Sequence, residues 1–170
     1  LNTLGAGLLP QIGVFWTGNR VVSETILVKD ILPIKEALRR KPIIWDNLHA
    51  NDYDHGRMFL GPFSGQDPKI LPHIRGMMTN PNCEYAFNVP AFVTMVEWAT
   101  CYDAKTGEVA RWDPMAAADK AIPHFMKEIK RPTTIGVHSQ ELKDNVFRSA
   151  SERASIEVDT TDVEMLCHFF

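Results

Sequence analysis

Short apolar runs that end in polar turns set the rhythm of the first part of the chain. Residues 12–16 (IGVFW) form one and stop at Thr17-Gly18, the pattern of a buried strand meeting a turn. Residues 42–45 (PIIW) repeat it and place Asp46, Asn47, His49, Asn51 and Asp52 directly after the strand. A third run, residues 76–78, ends in Thr79-Asn80-Pro81-Asn82. Between the first two runs the spacing predicts a helix capped by Asp30, with Pro33 in its first turn and Ile31, Ile34 and Leu38 on one face. Arg39 and Arg40 suit its carboxyl end, and Pro42 stops it. After the third run Asn88 is the expected cap of a helix with Pro90 in its first turn and Phe92, Met95, Val96 and Ala99 on its buried face.

Strands alternating with helices define the α/β class with parallel β/α units, and such folds collect binding groups on loops at the carboxyl ends of the strands. All three polar strings fall at such ends. A complete eight-fold barrel takes about 250 residues, so these units are expected to be part of one. Further along, Asp113-Pro114 and residues 115–120 read as a capped helix, which Pro123 should kink or end before Phe125, Met126 and Ile129 begin a second stripe. The expected division is therefore a barrel portion over residues 1–102, a helical extension over 103–132 and a helical or irregular tail over 133–170. From about Thr133 the periodicity fades, and Ser, Thr, Glu and Asp over residues 149–162 read as solvated or partly disordered.

Composition narrows the field. The chain is 45% apolar and 23% charged, which is globular, and its formal charge of −3 supplies no basic field for nucleic-acid backbone contacts. A neutral ligand is easier to accept. Cys83, Cys101 and Cys167 are odd in number and lack metal-ligand spacing, so they read as free thiols of a reducing compartment. No run approaches the roughly 20 apolar residues of a membrane helix, and no basic leader precedes the first strand. A soluble, intracellular protein is the expectation, and the start at Leu1 points to a fragment.

The densest chemistry lies in residues 45–55, WDNLHANDYDH. His49, Asp52, Asp54 and His55 are competent metal ligands, but the spacing is not His-Glu-x-x-His, and an EF-hand register from Asp46 fails at Leu48. No metal and no cofactor is expected. A carbohydrate site fits better: Trp45 offers a ring for a pyranose face, Asn47 and Asp52 offer forked polar groups for vicinal hydroxyls, and Asn80 adds one from the next strand end. The competing reading makes Trp45 a core residue and the Asn and Asp residues closers of turns. Residues 56–65 (GRMFLGPFSG) lack the Gly-Lys-Ser/Thr ending of a phosphate loop, and His138-Ser139 has no third member for a triad.

Four segments resemble a known family closely. Residues 14–18 (VFWTG) with Val21-Val22-Ser23, residues 42–54 (PIIWDNLHANDYD), 57–62 (RMFLGP) and 76–84 (GMMTNPNCE) resemble, in order and spacing, the strand-end motifs of glycoside hydrolase family 84, the O-GlcNAcase family. The resemblance spans roughly residues 5–102. It implies the last three β/α units of a (β/α)8 TIM-type barrel, and an enzyme that removes β-linked N-acetylglucosamine from Ser and Thr of nuclear and cytoplasmic proteins. Its implied partners are those glycoproteins, with neither nucleic acid nor membrane, and a homo-oligomer is compatible with it.

By motif position the resemblance implies that Trp45 walls the pocket around the N-acetyl group and Thr17 helps line it. Asn47 would lie near the reacting acetamido region, Asp52 would bind the 4- and 6-hydroxyls, and Asn80 would grip the ring. The family's reaction uses the substrate's own acetamido oxygen as nucleophile, an exception to the two-carboxylate scheme of most glycosidases. Two carboxylates are still required, one orienting the acetamide and one acting as acid and base. The family carries them as adjacent aspartates on an earlier strand. No two aspartates are adjacent anywhere in this sequence, so the pair is expected upstream of Leu1 and the chain is expected to be inactive alone. The alternative is a catalytically dead, truncated sugar-binding or interaction protein.

Overall fold

In the computed structural model the described residues are 1–54 and 56–129. The tail expected over 133–170, with Cys167 and His138-Ser139, lies outside them. The chain opens with α1 (Asn2–Gly7), then β1 (Phe15–Trp16), α2 (Val28–Leu38) and β2 (Ile43–Asp46). A 3-10 turn (Pro68–His73) leads to β3 (Gly76–Thr79), and a second (Tyr85–Asn88) leads to α3 (Val89–Ala99) and α4 (Pro114–Ile129). The three strands form one parallel sheet in the order β1-β2-β3. Phe15 pairs with Ile43, and Ile43 through Asp46 pair with Gly76 through Thr79. Each strand expected from an apolar run is present, but β1 is two residues long and begins at Phe15, three later than the run at Ile12.

Alternation along these strands separates two faces. Ile44 is fully buried and joins Ile26, Ile31, Phe63, Ile70, Ile74 and Trp98 in the core, with Trp16 and Met77 packed against it. On the other face Phe15, Trp45 and Met78 are exposed at 48, 38 and 41%. A continuously apolar parallel strand is normally covered on both faces. Among the described residues the helices cover one.

The helices correct several expectations. The first residue of α2 is Val28, so Asp30 is its third residue and not its cap, and it accepts a hydrogen bond from the Leu27 N–H at 2.9 Å. That is the place where a carboxylate reaches back to the chain entering a helix. Pro33 consequently lies in the second turn, on the exposed side. Ile31 and Leu38 are buried as expected, with Ile34 half-buried. Arg39 ends the helix in the left-handed region at φ 55°.

In α3 the buried residues are Pro90, Ala91, Thr94 and Trp98. Of the stripe expected from Phe92, Met95, Val96 and Ala99, Met95 packs against the core and Phe92 is half-buried, but Ala99 is exposed and Val96 is 60% exposed. The large indole decides the orientation: Trp98 stacks edge-on to Phe63 at 5.1 Å and donates to the Gln66 carbonyl at 2.8 Å. Asn88 stands at the cap position, but its side chain bonds Asn82 and Glu84 instead of capping the helix. Asp113 does cap α4, accepting from the Met115 and Ala116 N–H groups at 3.1 Å. Pro123 does not end that helix, which runs to Ile129. The lost N–H costs one bond, but Ala121 and Phe125 on either side of it are buried, at 1 and 0% exposure.

Candidate functional site

Because the strands are parallel and in register, their carboxyl ends share one edge. Thr17 follows β1, Trp45 is the third residue of β2, Asn47 follows that strand, and Asn80 follows β3. The Asn80 N–H donates to the Asp46 carbonyl at 2.7 Å, which fixes the β3 exit against the β2 exit. All of these expected site residues therefore meet at a single strand-end edge.

Trp45 is not core. Its ring stands edge-on to Phe15 at 5.6 Å on the uncovered face, and its indole N–H donates to Asn47 Oδ1 at 2.9 Å. Asn47 is nearly buried and its Nδ2 donates to the Val21 carbonyl at 2.7 Å, so one amide ties the ring to the loop after β1. That loop turns back sharply at Gly18, whose φ is 90° and where a Cβ would come within 2.2 Å of Ser23 Oγ. A side chain there would displace the loop, hence glycine.

The string after β2 divides by direction. Asn51 is fully buried: Nδ2 donates to the Arg57 carbonyl at 2.8 Å and to Glu84 Oε2 at 2.9 Å, while Oδ1 accepts from the Cys83 N–H at 2.7 Å. It pins the β2 loop to the β3 loop. Asp52 and Tyr53, the next residues, are exposed, and among the described residues the Asp52 carboxylate has no partner. The side chain of Asn80 is likewise unpartnered among them and half-buried. Turn closure thus describes Asn51, Asn82 and Asn88. It does not describe Trp45, Asp52 or Asn80.

Behind the edge lies Asp46, a member of the polar string to which the sequence reading gave no role in a sugar site. Asp46 is 3% exposed, and its Oδ1 accepts from the Leu48 N–H at 3.0 Å and its Oδ2 from Gln66 Nε2 at 3.3 Å. Burial pushes its carboxyl above the ordinary range, opposed by those donors and by His49. His49 is 5% exposed with Nε2 2.9 Å from the Gly61 carbonyl, so that nitrogen must carry the proton. Burial holds its imidazole below the ordinary 6.5. No three His, Cys, Asp or Glu side chains gather among the described residues in a way that could hold a metal ion. Of the cysteines, Cys83 and Cys101 are free thiols.

The family profile described as NAGidase, beta-N-acetylglucosaminidase, matches residues 1–131, so the chain belongs to the beta-N-acetylglucosaminidase family, the glycoside hydrolase family 84 of the O-GlcNAcases. Protein O-GlcNAcase of Rattus norvegicus is 48% identical over 98 residues, which are 58% of this chain and 11% of that protein. Protein O-GlcNAcase of Mus musculus matches with the same figures. Among solved structures, a mutant O-GlcNAc hydrolase of Thermobaculum terrenum aligns at a TM-score of 0.63 and 24% identity, covering 73% of this chain and 26% of that one. CpGH84B aligns at 0.62 and 24%, covering 71% and 20%. These neighbours share the fold of TIM-barrel enzymes, of which this chain spans about a quarter.

Proposed function

We propose that this chain forms the last three β/α units of a (β/α)8 barrel that hydrolyses β-linked N-acetylglucosamine from Ser and Thr of nuclear and cytoplasmic proteins. It supplies the sugar-binding half of the site: Trp45 as the wall beside the N-acetyl group, Asn47 holding that wall, and Thr17 lining the pocket. Asp52 takes the 4- and 6-hydroxyls and Asn80 the ring. The carboxylate pair that orients the acetamide and shuttles the proton stands on an upstream strand, so the chain alone is inactive.

The observation that carries this reading is the asymmetry of one loop. Its amides are consumed in holding the ring and the backbone, while Asp52 on the same loop is exposed with no partner among the described residues and Trp45 is exposed at the same strand end. A free carboxylate and an exposed aromatic ring at one strand end are groups that a pyranose can use. The uncovered face and the small share of each relative spanned both support a barrel completed by other strands.

The test is Asp52→Ala in the longer protein carrying this segment, assayed on an aryl β-N-acetylglucosaminide. Losing charge-assisted bonds to two hydroxyls should raise KM by about 30-fold. An unchanged KM and kcat would remove Asp52 from the site.

A further inference from the structure

Gln66 lies far from the strand-end motifs in sequence, yet it is 1% exposed and every polar atom of its side chain is engaged. Its Oε1 accepts from the Ile26 N–H at 2.6 Å, and its Nε2 donates to the Ser23 carbonyl at 3.0 Å and to Asp46 Oδ2 at 3.3 Å. Its own carbonyl accepts from the Trp98 indole of α3 at 2.8 Å. One amide therefore holds the loop after β1 at two points and the last residue of β2 at a third.

Residues 17 and 45–47 ride on those two segments. Thr17 begins the loop that Gln66 grips at Ser23 and Ile26, and Ser23 Oγ in turn closes the turn on Arg20, donating to its carbonyl at 3.1 Å. Asp46 stands between Trp45 and Asn47. Gly65 lets Gln66 approach: its φ is 86°, and a Cβ there would come within 2.1 Å of the Glu24 carbonyl oxygen. No other side chain among the described residues bonds both the β1 loop backbone and the β2 carboxylate.

We propose that Gln66 is a positioning residue, whose carboxamide sets the separation between the Thr17 loop and the Trp45–Asn47 wall and so the width of the sugar pocket. This rests on the sugar-site reading above. A group that fixes binding residues without touching substrate acts through the ground-state complex, whereas the orienting and proton-transferring carboxylates of the proposed site, on another strand, are left alone.

The experiment replaces Gln66 with Met in the longer active protein and compares it with Phe125→Leu, a core change in α4 away from this edge. In Gln66→Met, KM and the inhibition constant of free N-acetylglucosamine should each rise about tenfold, with kcat within about threefold. Phe125→Leu should lower Tm while leaving KM as it was. Gln66→Glu keeps the length and the acceptor for Ile26 but loses both donors, and serves if the Met variant does not fold. Unchanged KM in folded Gln66 variants overturns the proposal, and so does failure of both variants to fold, since Gln66 would then belong to the fold alone. If the unsubstituted protein has no activity, the function itself is wrong; if it is active and the Gln66 variants match it, only the positioning role is.

Discussion

His49 illustrates how a single residue in this loop answers to two demands. It looks like a metal ligand in the sequence, but its Nε2 is spent on the Gly61 carbonyl and its Nδ1 is buried with no partner among the described residues. It serves to fold the loop that presents Asp52. Its depressed titration has a stability consequence of definite sign. Below 6.5 the unfolded chain takes up a proton that the folded chain refuses, so this contribution is complete above that pH and is lost as pH falls through it. Asp46 acts in the opposite sense, because its raised carboxyl makes the folded state the better proton acceptor at lower pH. Replacing His49 with Gln should therefore flatten the fall in Tm between about pH 7 and pH 5.5. A variant whose Tm falls as steeply as the parent's would place the acid sensitivity elsewhere.

At the scale of elements, Arg40 is the clearest joint. Its guanidinium donates to the Leu9 and Ile12 carbonyls at 2.7 and 2.9 Å and to Gly5 and Leu8 at 3.1 and 3.0 Å, while Nε donates to Leu38 at 2.9 Å. It closes the carboxyl ends of α1 and α2 together. Arg40→Met should cost about 2 kcal/mol, discounted for the exposed part of the network, and amide exchange across α1 should quicken before the rest of the chain responds. Equal exchange in parent and variant would contradict this.

The strands were legible because short apolar runs ending in polar turns leave little else to form, and the same logic put Thr17, Trp45 and Asn80 at one edge. The helix faces were less so. In α3 a hydropathy stripe pointed to Val96, whereas the bulk and the single hydrogen bond of Trp98 set the rotation. Asp30 read as a cap because caps and third-residue acceptors in the first turn draw on the same residue types. Gln66 carried no signal, since a buried amide is specified by partners 20 to 43 residues away and by nothing in its neighbourhood.

At the largest scale, the sheet face left uncovered among the described residues is the dominant physical fact. Phe15, Trp45 and Met78 present apolar surface that a completed barrel would enclose, and parallel sheets are otherwise covered on both sides. The family accounts for the motifs, and on the proposed reading the adjacent aspartates, absent from this sequence, stand on another strand. The most direct test is hydrolysis of an aryl β-N-acetylglucosaminide by the purified 170-residue chain, measured beside a longer chain that includes a strand ending in adjacent aspartates. The account predicts turnover by the longer chain and none by the shorter. Turnover by the shorter chain at a comparable rate would contradict it and place the catalytic carboxylates among the residues described above.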